Sequence, residues 1–334
     1  MPDLSAFTPL LYALLILAIL FDFINGFHDT ANAVATVIST RVLTPAMAIA
    51  MAAGLNLVGA LTGTEVAKTV GSGIIGKEVP LVAVTAGLVG AIIWNLLTWY
   101  FGIPSSSSHA LIGGLLGAGI ASLGVDKVHW DVLWNKVVLP LVFSPLGGFL
   151  MALLLMRLLY SIFANMPPAR VGGFFRRAQI VSAAFMAFSH GGNDAQKTMG
   201  IITLGLVSAG VLPTFVVPTW VILVSALAMA AGTAAGGRRI IHTMGTRITH
   251  LEPIHGFAAE TSAATIIEIA SRFGFPLSTT HVISSTILGV GAARRLNSVR
   301  WGVARNMIRA WVLTIPVTAG IGFLSYWILN PLLS

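Results

Sequence analysis

The sequence predicts an all-α integral membrane protein: two inverted repeats with discontinuous half-helices and about 10–12 transmembrane segments. Three observations carry the prediction: an apolar composition, apolar runs of membrane length, and three sequence blocks that each occur twice in the same order. Hydrophobic residues are 56% of the 334 and charged residues 9%, against about 25% charged in an ordinary soluble domain.

Apolar runs near the roughly 20 residues needed to cross a bilayer recur at Pro9 to Leu20, Met47 to Thr62, Leu81 to Phe101, Val137 to Leu159, Val216 to Ala235 and Val303 to Leu329. Further segments are expected to be short, broken by Gly and Pro, or striped with polar residues. The start MPDLSAFTPLLYALLILAIL has no basic n-region and no small-residue cleavage site, so a retained first helix is expected. The chain has no cysteine, which excludes disulfides, thiolate metal sites and cysteine nucleophiles. Its net charge of +8 is assigned to cytoplasmic loops, where membrane proteins collect Lys and Arg, and not to nucleic-acid binding.

The repeat emerges when the chain is laid over itself. FHDTANA from Phe27 matches GNDAQKT from Gly192, placing Asp29 over Asp194. GTEVAKTVGSGI from Gly63 matches GRRIIHTMGTRI from Gly237, keeping Thr69 with Thr243 and Gly71 with Gly245. GIPSSSSH from Gly102 matches GFPLSTTH from Gly274, and the matched stretches continue to Trp130 and Trp301. The expected halves are 1–164 and 178–334, joined by a polar cytoplasmic loop at 165–177 into one transport domain. Matched loops differ in charge: 237–247 holds three arginines where its counterpart has one acid and one lysine, and Arg294, Arg295 and Arg300 answer the balanced VDKVHWD. Equivalent loops of different charge face opposite sides, so the halves are read as inverted, with 237–247 and 294–305 cytoplasmic.

Two constellations carry chemistry. Asp22, Asn25, Asp29, Asn32 and Thr36 fall at steps of three and four, one face of an otherwise apolar helix. In the second half His190, Asp194 and Lys197 keep that spacing. Ionisable groups at membrane depth mark function unless they are inert interhelical glue, and carboxylate, amide and hydroxyl oxygens suit a hard cation or a transferred proton. Lys197 either neutralises Asp194 or touches an anion. The second constellation is the pair of proline-broken blocks. Pro104 and Pro276 interrupt apolar runs, and the hydroxyls that follow are helix N-caps. A half-helix starting there brings free amides, a positive dipole end and several hydroxyls to one point, which is an anion site. His109 and His281 close the blocks and either donate to the anion or cap locally. Glu260 and Glu268 are eight apart on one helix face and are expected to see the same cavity; Glu78 and Glu252 are read as loop residues.

These residues bring the chain close to the inorganic phosphate transporter (PiT) family, which it resembles over essentially its whole length. NGFHDTANAVATVIST looks like the family's duplicated signature, HGGNDAQKTMG like the second copy, and PSSSSH and PLSTTH like its half-helix motifs. The resemblance implies cation-coupled symport of phosphate into the cell across the inner (cell) membrane by a multi-pass protein surrounded by lipid, with no cofactor and as a homodimer. It places the cation-linked carboxylates on Asp29 and Asp194, the sodium ligands if sodium is the coupling ion. The signature amides fall on Asn32 and Asn193, with Asp22 and Asn25 of the stripe beside them. Phosphate-facing hydroxyls fall on Ser105, Ser106, Ser107 and Ser108 and on Ser278, Thr279 and Thr280; His109, His281 and Lys197 are added as phosphate-binding candidates from their own positions beside these blocks. His28 stands where the sodium-coupled branch commonly has Asn, which leaves H+ or Na+ open, as well as carriage of a metal phosphate. The family also contains sulfate permeases, so another tetrahedral oxyanion is the alternative substrate, and a passive anion channel the alternative mechanism. An intramembrane serine hydrolase is disfavoured by the missing GxSxG elbow. An ATP-driven pump is excluded because Gln196 breaks the Walker spacing.

Overall fold

The computed structural model describes residues 8–76 and 78–333, and the expectation for the first seven residues lies outside them. The first set of elements is α1 (Pro9–Ser39), α2 (Pro45–Ala60), α3 (Glu65–Lys68, extended by a π-turn at Thr69–Gly73), α4 (Leu81–Phe101), α5 (Ser107–Leu123) and α6 (Trp130–Val132), which passes through a π-turn at Leu133–Val138 into α7 (Leu139–Ile162). The second set is α8 (Pro168–Ser208), α9 (Thr219–Ala235), α10 (Arg238–His242, extended by a π-turn at Thr243–Arg247), α11 (Pro253–Arg272), α12 (Thr279–Arg294) and α13 (Trp301–Leu333).

The second set repeats the first in detail. After α2 the chain bends by 69° into α3, and after α9 by 65° into α10. Thr69 donates to the Gly274 carbonyl at 2.7 Å and its counterpart Thr243 to the Gly102 carbonyl at 3.1 Å, each reaching into the other half. A 3-10 turn follows each short helix, and the matched Trp130 and Trp301 indoles donate back to it at 3.1 and 2.9 Å. Helices α5 and α12 meet at their first turns, where the His109 and His281 ring centroids are 4.9 Å apart. The two helices then pack on different partners, α5 on α13 and α4, α12 on α7 and α11. Divergence from a shared start is the arrangement of inverted repeats, and the exchange of α7 and α13 between halves locks the two together.

The stretch 165–177 is a correction: only 165–167 belong to the connection between α7 and α8, and 168–177 are helical. Pro168 opens a 41-residue helix, and proline at a helix start costs nothing because its missing N–H would have no partner there. Crossings also differ from a count by hydropathy. Among the described residues, four helices are long and apolar enough to span, six if each bent pair is one span. The remainder are half-helices of 17 and 16 residues or, like α8 and α11, carry buried polar groups that lower their hydropathy.

Close helix crossings rest on small residues, as expected where lipid supplies no hydrophobic drive between helices. At the crossing of α1 and α9, a Cβ on Gly232 would lie 2.1 Å from the Phe23 carbonyl oxygen, and one on Gly26 would lie 2.4 Å from that of Met229. Neither backbone can yield without separating the helices. Gly232→Val is therefore expected to cost about 3 kcal/mol by overpacking, read as a lower unfolding temperature in detergent. Gly147→Ala, where a Cβ meets nothing within 4 Å, should unfold like the parent, and equal behaviour of the two variants would refute the packing argument.

Candidate functional site between two half-helices

Each half builds its part of the site the same way. Helix α4 closes on Gly102 (φ 64°) and α11 is followed by Gly274 (φ 70°), a left-handed turn that favours glycine. Pro104 and Pro276 fix their own φ and hold the residue before each out of the helical region. Ser106 and Ser278 then cap α5 and α12, each accepting from the backbone N–H three residues on, His109 and His281, at 3.2 Å. The remaining first-turn amides and the positive helix ends point into one buried place. Ser105 to His109 and Ser278 to His281 are all between 0% and 3% exposed.

The carboxylates come to the same place. Asp29 on α1 accepts from Ser107 Oγ at 2.7 Å through Oδ2 and contacts His28 Nδ1 at 2.6 Å through Oδ1. Asp194 on α8 accepts from Thr279, the counterpart of Ser107, at 3.3 Å through Oδ2, and from the Lys197 ammonium through Oδ1. The residues three further on reach across to the opposite half-helix. Asn32 Nδ2 donates to Thr279 and Thr280 at 3.1 and 2.9 Å. Lys197, which stands at the position of Asn32 in the second half, donates to Ser108 and to the Leu277 carbonyl, the latter at 3.2 Å. Thus each carboxylate binds its own half-helix and each following residue binds the other.

Asp29, His190 and Asp194 each offer one ligand atom, all within 4.8 Å of one another. The tautomer of His190 follows from its neighbours. Thr233 donates to the Met229 carbonyl and accepts from Asn56 Nδ2, which leaves Asn56 Oδ1 to accept from His190 Nδ1 at 3.2 Å. His190 Nε2 then faces Asp194 at 3.4 Å without a hydrogen bond. Two carboxylates and an imidazole nitrogen are donors suited to a small cation or a proton.

The other expected residues fall less centrally. Asn193 Nδ2 donates to Ser271 at 2.8 Å and to the Phe275 carbonyl at 3.3 Å, holding the break before α12, while its Oδ1 has no partner. Asn25 and Asp22 are buried one and two turns back along α1 from Asp29; both Asp22 oxygens and Asn25 Oδ1 lack hydrogen bonds. His281 has no partner at either ring nitrogen and stacks on Trp311 with centroids 4.1 Å apart. Gln196 is helical, donating to the Gly192 carbonyl and accepting from Val66 N–H at 2.8 Å, so no phosphate loop forms.

Glu260 and Glu268 do not share a cavity. Glu268 pairs with Arg272 at 3.0 Å, whereas Glu260 is fully buried and accepts from Thr36 at 2.5 Å, Gln179 at 3.0 Å and Ser182. Eight residues exceed two turns by less than one residue, but the ends of a 20-residue helix meet different neighbours. Sequence reasoning missed Gln179 and Ser182, whose signal was an i, i+3 polar pair facing the Thr36 stripe. It also missed Thr98, which contacts His28 Nε2 at 3.1 Å and accepts from Ser105 at 2.8 Å.

Two cavities approach this centre. One of about 520 Å³ is lined by Thr98, Pro104, Arg247 and Arg309, and one of about 380 Å³ by Glu65, Gln196, Ser271 and Arg272. Each reaches a residue that touches the site, Thr98 on one side and Ser271 on the other.

A duplicated membrane bundle whose buried carboxylates and half-helix starts converge between two vestibules defines a transporter and not an enzyme. The model of the phosphate transporter family matches residues 25–170 and again 164–322, one match for each set of elements, and the chain belongs to that family. It is 50% identical over 329 residues to a Rhizobium meliloti protein named "probable low-affinity inorganic phosphate transporter", covering 97% of this chain and 98% of that one. A Bacillus subtilis protein of the same name is 46% identical over 321 residues, 95% and 96% of the two chains. Among solved structures, one titled "The sodium-dependent phosphate transporter" superposes with a TM-score of 0.88 at 27% identity, covering 98% of this chain and all of that one. The protein is thus a multi-pass phosphate-transporter family member of the cell membrane.

Glu260→Ala should leave the buried Thr36, Gln179 and Ser182 donors without an acceptor, at about 3 kcal/mol. The readout is a lower unfolding temperature than that of Glu268→Ala, which removes only a surface pair; the reverse order would contradict the buried network.

Proposed function

We propose that this protein imports inorganic phosphate by alternating access about the centre between α5 and α12, coupled to cations through the buried carboxylate centre that Asp29 and Asp194 form. The observation that supports it most is the convergence of two half-helix starts and two carboxylates at one closed, buried point. The amides and hydroxyls of Ser105 to Ser108 and of Ser278 to Thr280 bind the anion, assisted by His109 and His281. The carboxylates bring the cations whose charge the desolvated anion needs. A phosphate dianion entering a negative interior works against about 4.6 kcal/mol per 100 mV, so cations must accompany it. The bundle of α5 with α4 and α13 and the bundle of α12 with α7 and α11 rock against each other, opening one vestibule and closing the other. The vestibule with Arg247 and Arg309 is cytoplasmic by the charge of its loops.

The proton is the coupling ion that His28 favours. Thr98 spends its hydroxyl proton on the Trp94 carbonyl at 2.9 Å and accepts from Ser105, so His28 Nε2 is the donor toward it. The 2.6 Å contact between His28 Nδ1 and Asp29 then holds one further proton, which can travel with phosphate. The family resemblance extends the reading to a homodimer.

Uptake of labelled phosphate by proteoliposomes should fall about tenfold or more in Asp29→Asn and in Asp194→Asn, the scale of losing a charged hydrogen-bond acceptor. An imposed inward proton gradient should raise parent uptake above the equilibrium level, which a passive channel could not do. Near-normal transport by both variants, or competition by sulfate as strong as by phosphate, would contradict the reading.

A further inference from the structure

The two carboxylates are neutralised differently, and the difference lies at one repeat position. Asn32 and Lys197 are counterparts, and each donates to the second hydroxyl of the opposite half-helix, Thr280 or Ser108. Asn32 leaves a buried carbonyl oxygen, Oδ1, without a partner. Lys197 instead places an ammonium among three kinds of oxygen: the Asp194 carboxylate, the Ser108 hydroxyl and the Leu277 backbone carbonyl. Carboxylate, hydroxyl and carbonyl are the donors that hold a hard monovalent cation. The side chain is 1% exposed and all three hydrogens of the ammonium are engaged.

We infer that Lys197 is a tethered counter-cation, occupying in the second half the place that a mobile cation would take, so that Asp194 contributes no transported ion to the coupling ratio. The inference rests on the phosphate-symport reading and deepens it. An ion bound to oxygens alone can leave with the substrate, whereas an ammonium tied to α8 cannot. It also reassigns Lys197. With every N–H committed to the protein, Lys197 pairs with Asp194 and fixes the start of α5 through Ser108; it is a positioning residue and not an anion ligand.

The test restores the symmetry. Lys197→Asn gives the second half the amide that the first half carries and leaves the oxygens of Asp194, Ser108 and Leu277 without a cation. Purified protein should then gain a sodium-dependent rise in unfolding temperature, and its reconstituted phosphate uptake should become sodium-dependent, by about tenfold between choline and sodium media. The charge moved per phosphate, measured as current on a supported membrane, should rise by one. Asp194→Asn/Lys197→Asn, lacking the carboxylate, should lose the sodium response. A Lys197→Asn protein that is monodisperse yet indifferent to sodium in all three readouts overturns the inference, as does one whose phosphate affinity is lost equally in sodium and choline, which would make Lys197 an anion ligand. Should the Asn variant not fold, Lys197→Gln carries the same amide on a longer stem, and the unmodified protein offers an independent measurement: its phosphate binding should be the same in choline and sodium, and a sodium requirement there overturns the inference. Failure of the unmodified protein to accumulate phosphate would instead strike the underlying reading.

Discussion

Two carboxylates at membrane depth govern the rest of this structure. Asp29 and Asp194 are 3% and 0% exposed, in surroundings where an ion without partners would cost several kcal/mol. Their oxygens must therefore be met by donors that the fold itself carries inward. Ser107 and Thr279 can do so only from the first turn of a helix that begins inside the protein. That requirement explains the breaks at Pro104 and Pro276, the left-handed glycines before them and the serine caps after them. Having been started at depth to serve a carboxylate, the same half-helices present unused amides to an anion. On the proposed reading, cation and anion recognition share one structural cause.

The duplication supplies the symmetry of the centre, but the environment of each half differs. Glu260 lies with Thr36, Gln179 and Ser182 between α1, α8 and α11. The matched positions in the other half are Leu88, Ile201, Leu14 and Leu17, part of one apolar cluster. One side of the molecule is sealed by a hydrogen-bonded carboxyl and the other by hydrocarbon. Polar contacts are strong but directional, and apolar ones tolerate sliding, so under the proposed alternating access the two halves of the cycle would not be mirror images in energy. The arginines that line one vestibule and the mixed charges of the other extend this asymmetry to the surface.

Much of this was legible in the sequence because duplication makes residue identity informative twice. Asp29 over Asp194 and PSSSSH over PLSTTH located both constituents of the centre, and the steps of three and four put the α1 stripe on one face. Three-dimensional partnership was less accessible. Nothing in the spacing of Asn32 says that it crosses to Thr279 and Thr280, because the contact joins residues some 250 apart in sequence whose meeting depends on how the halves interlock. Glu260 and Glu268 looked equivalent by helical phase yet meet a buried network and a surface arginine, since phase fixes direction and not neighbours. The polar stretch 165–177 read as a loop because its arginines and glycines lower hydropathy, but Pro168 followed by a run without further proline is also a helix start.

The central claim is that both half-helices contribute to a single anion site. Equilibrium binding of labelled phosphate to the purified protein tests it most directly, with Ser107→Ala and Thr279→Ala altering one half at a time. The account predicts one phosphate per chain, bound more weakly in each variant with no residual population of the original affinity. Two phosphates per chain, or a variant that keeps a fraction of sites at the original affinity, would show that each half binds on its own and would contradict it.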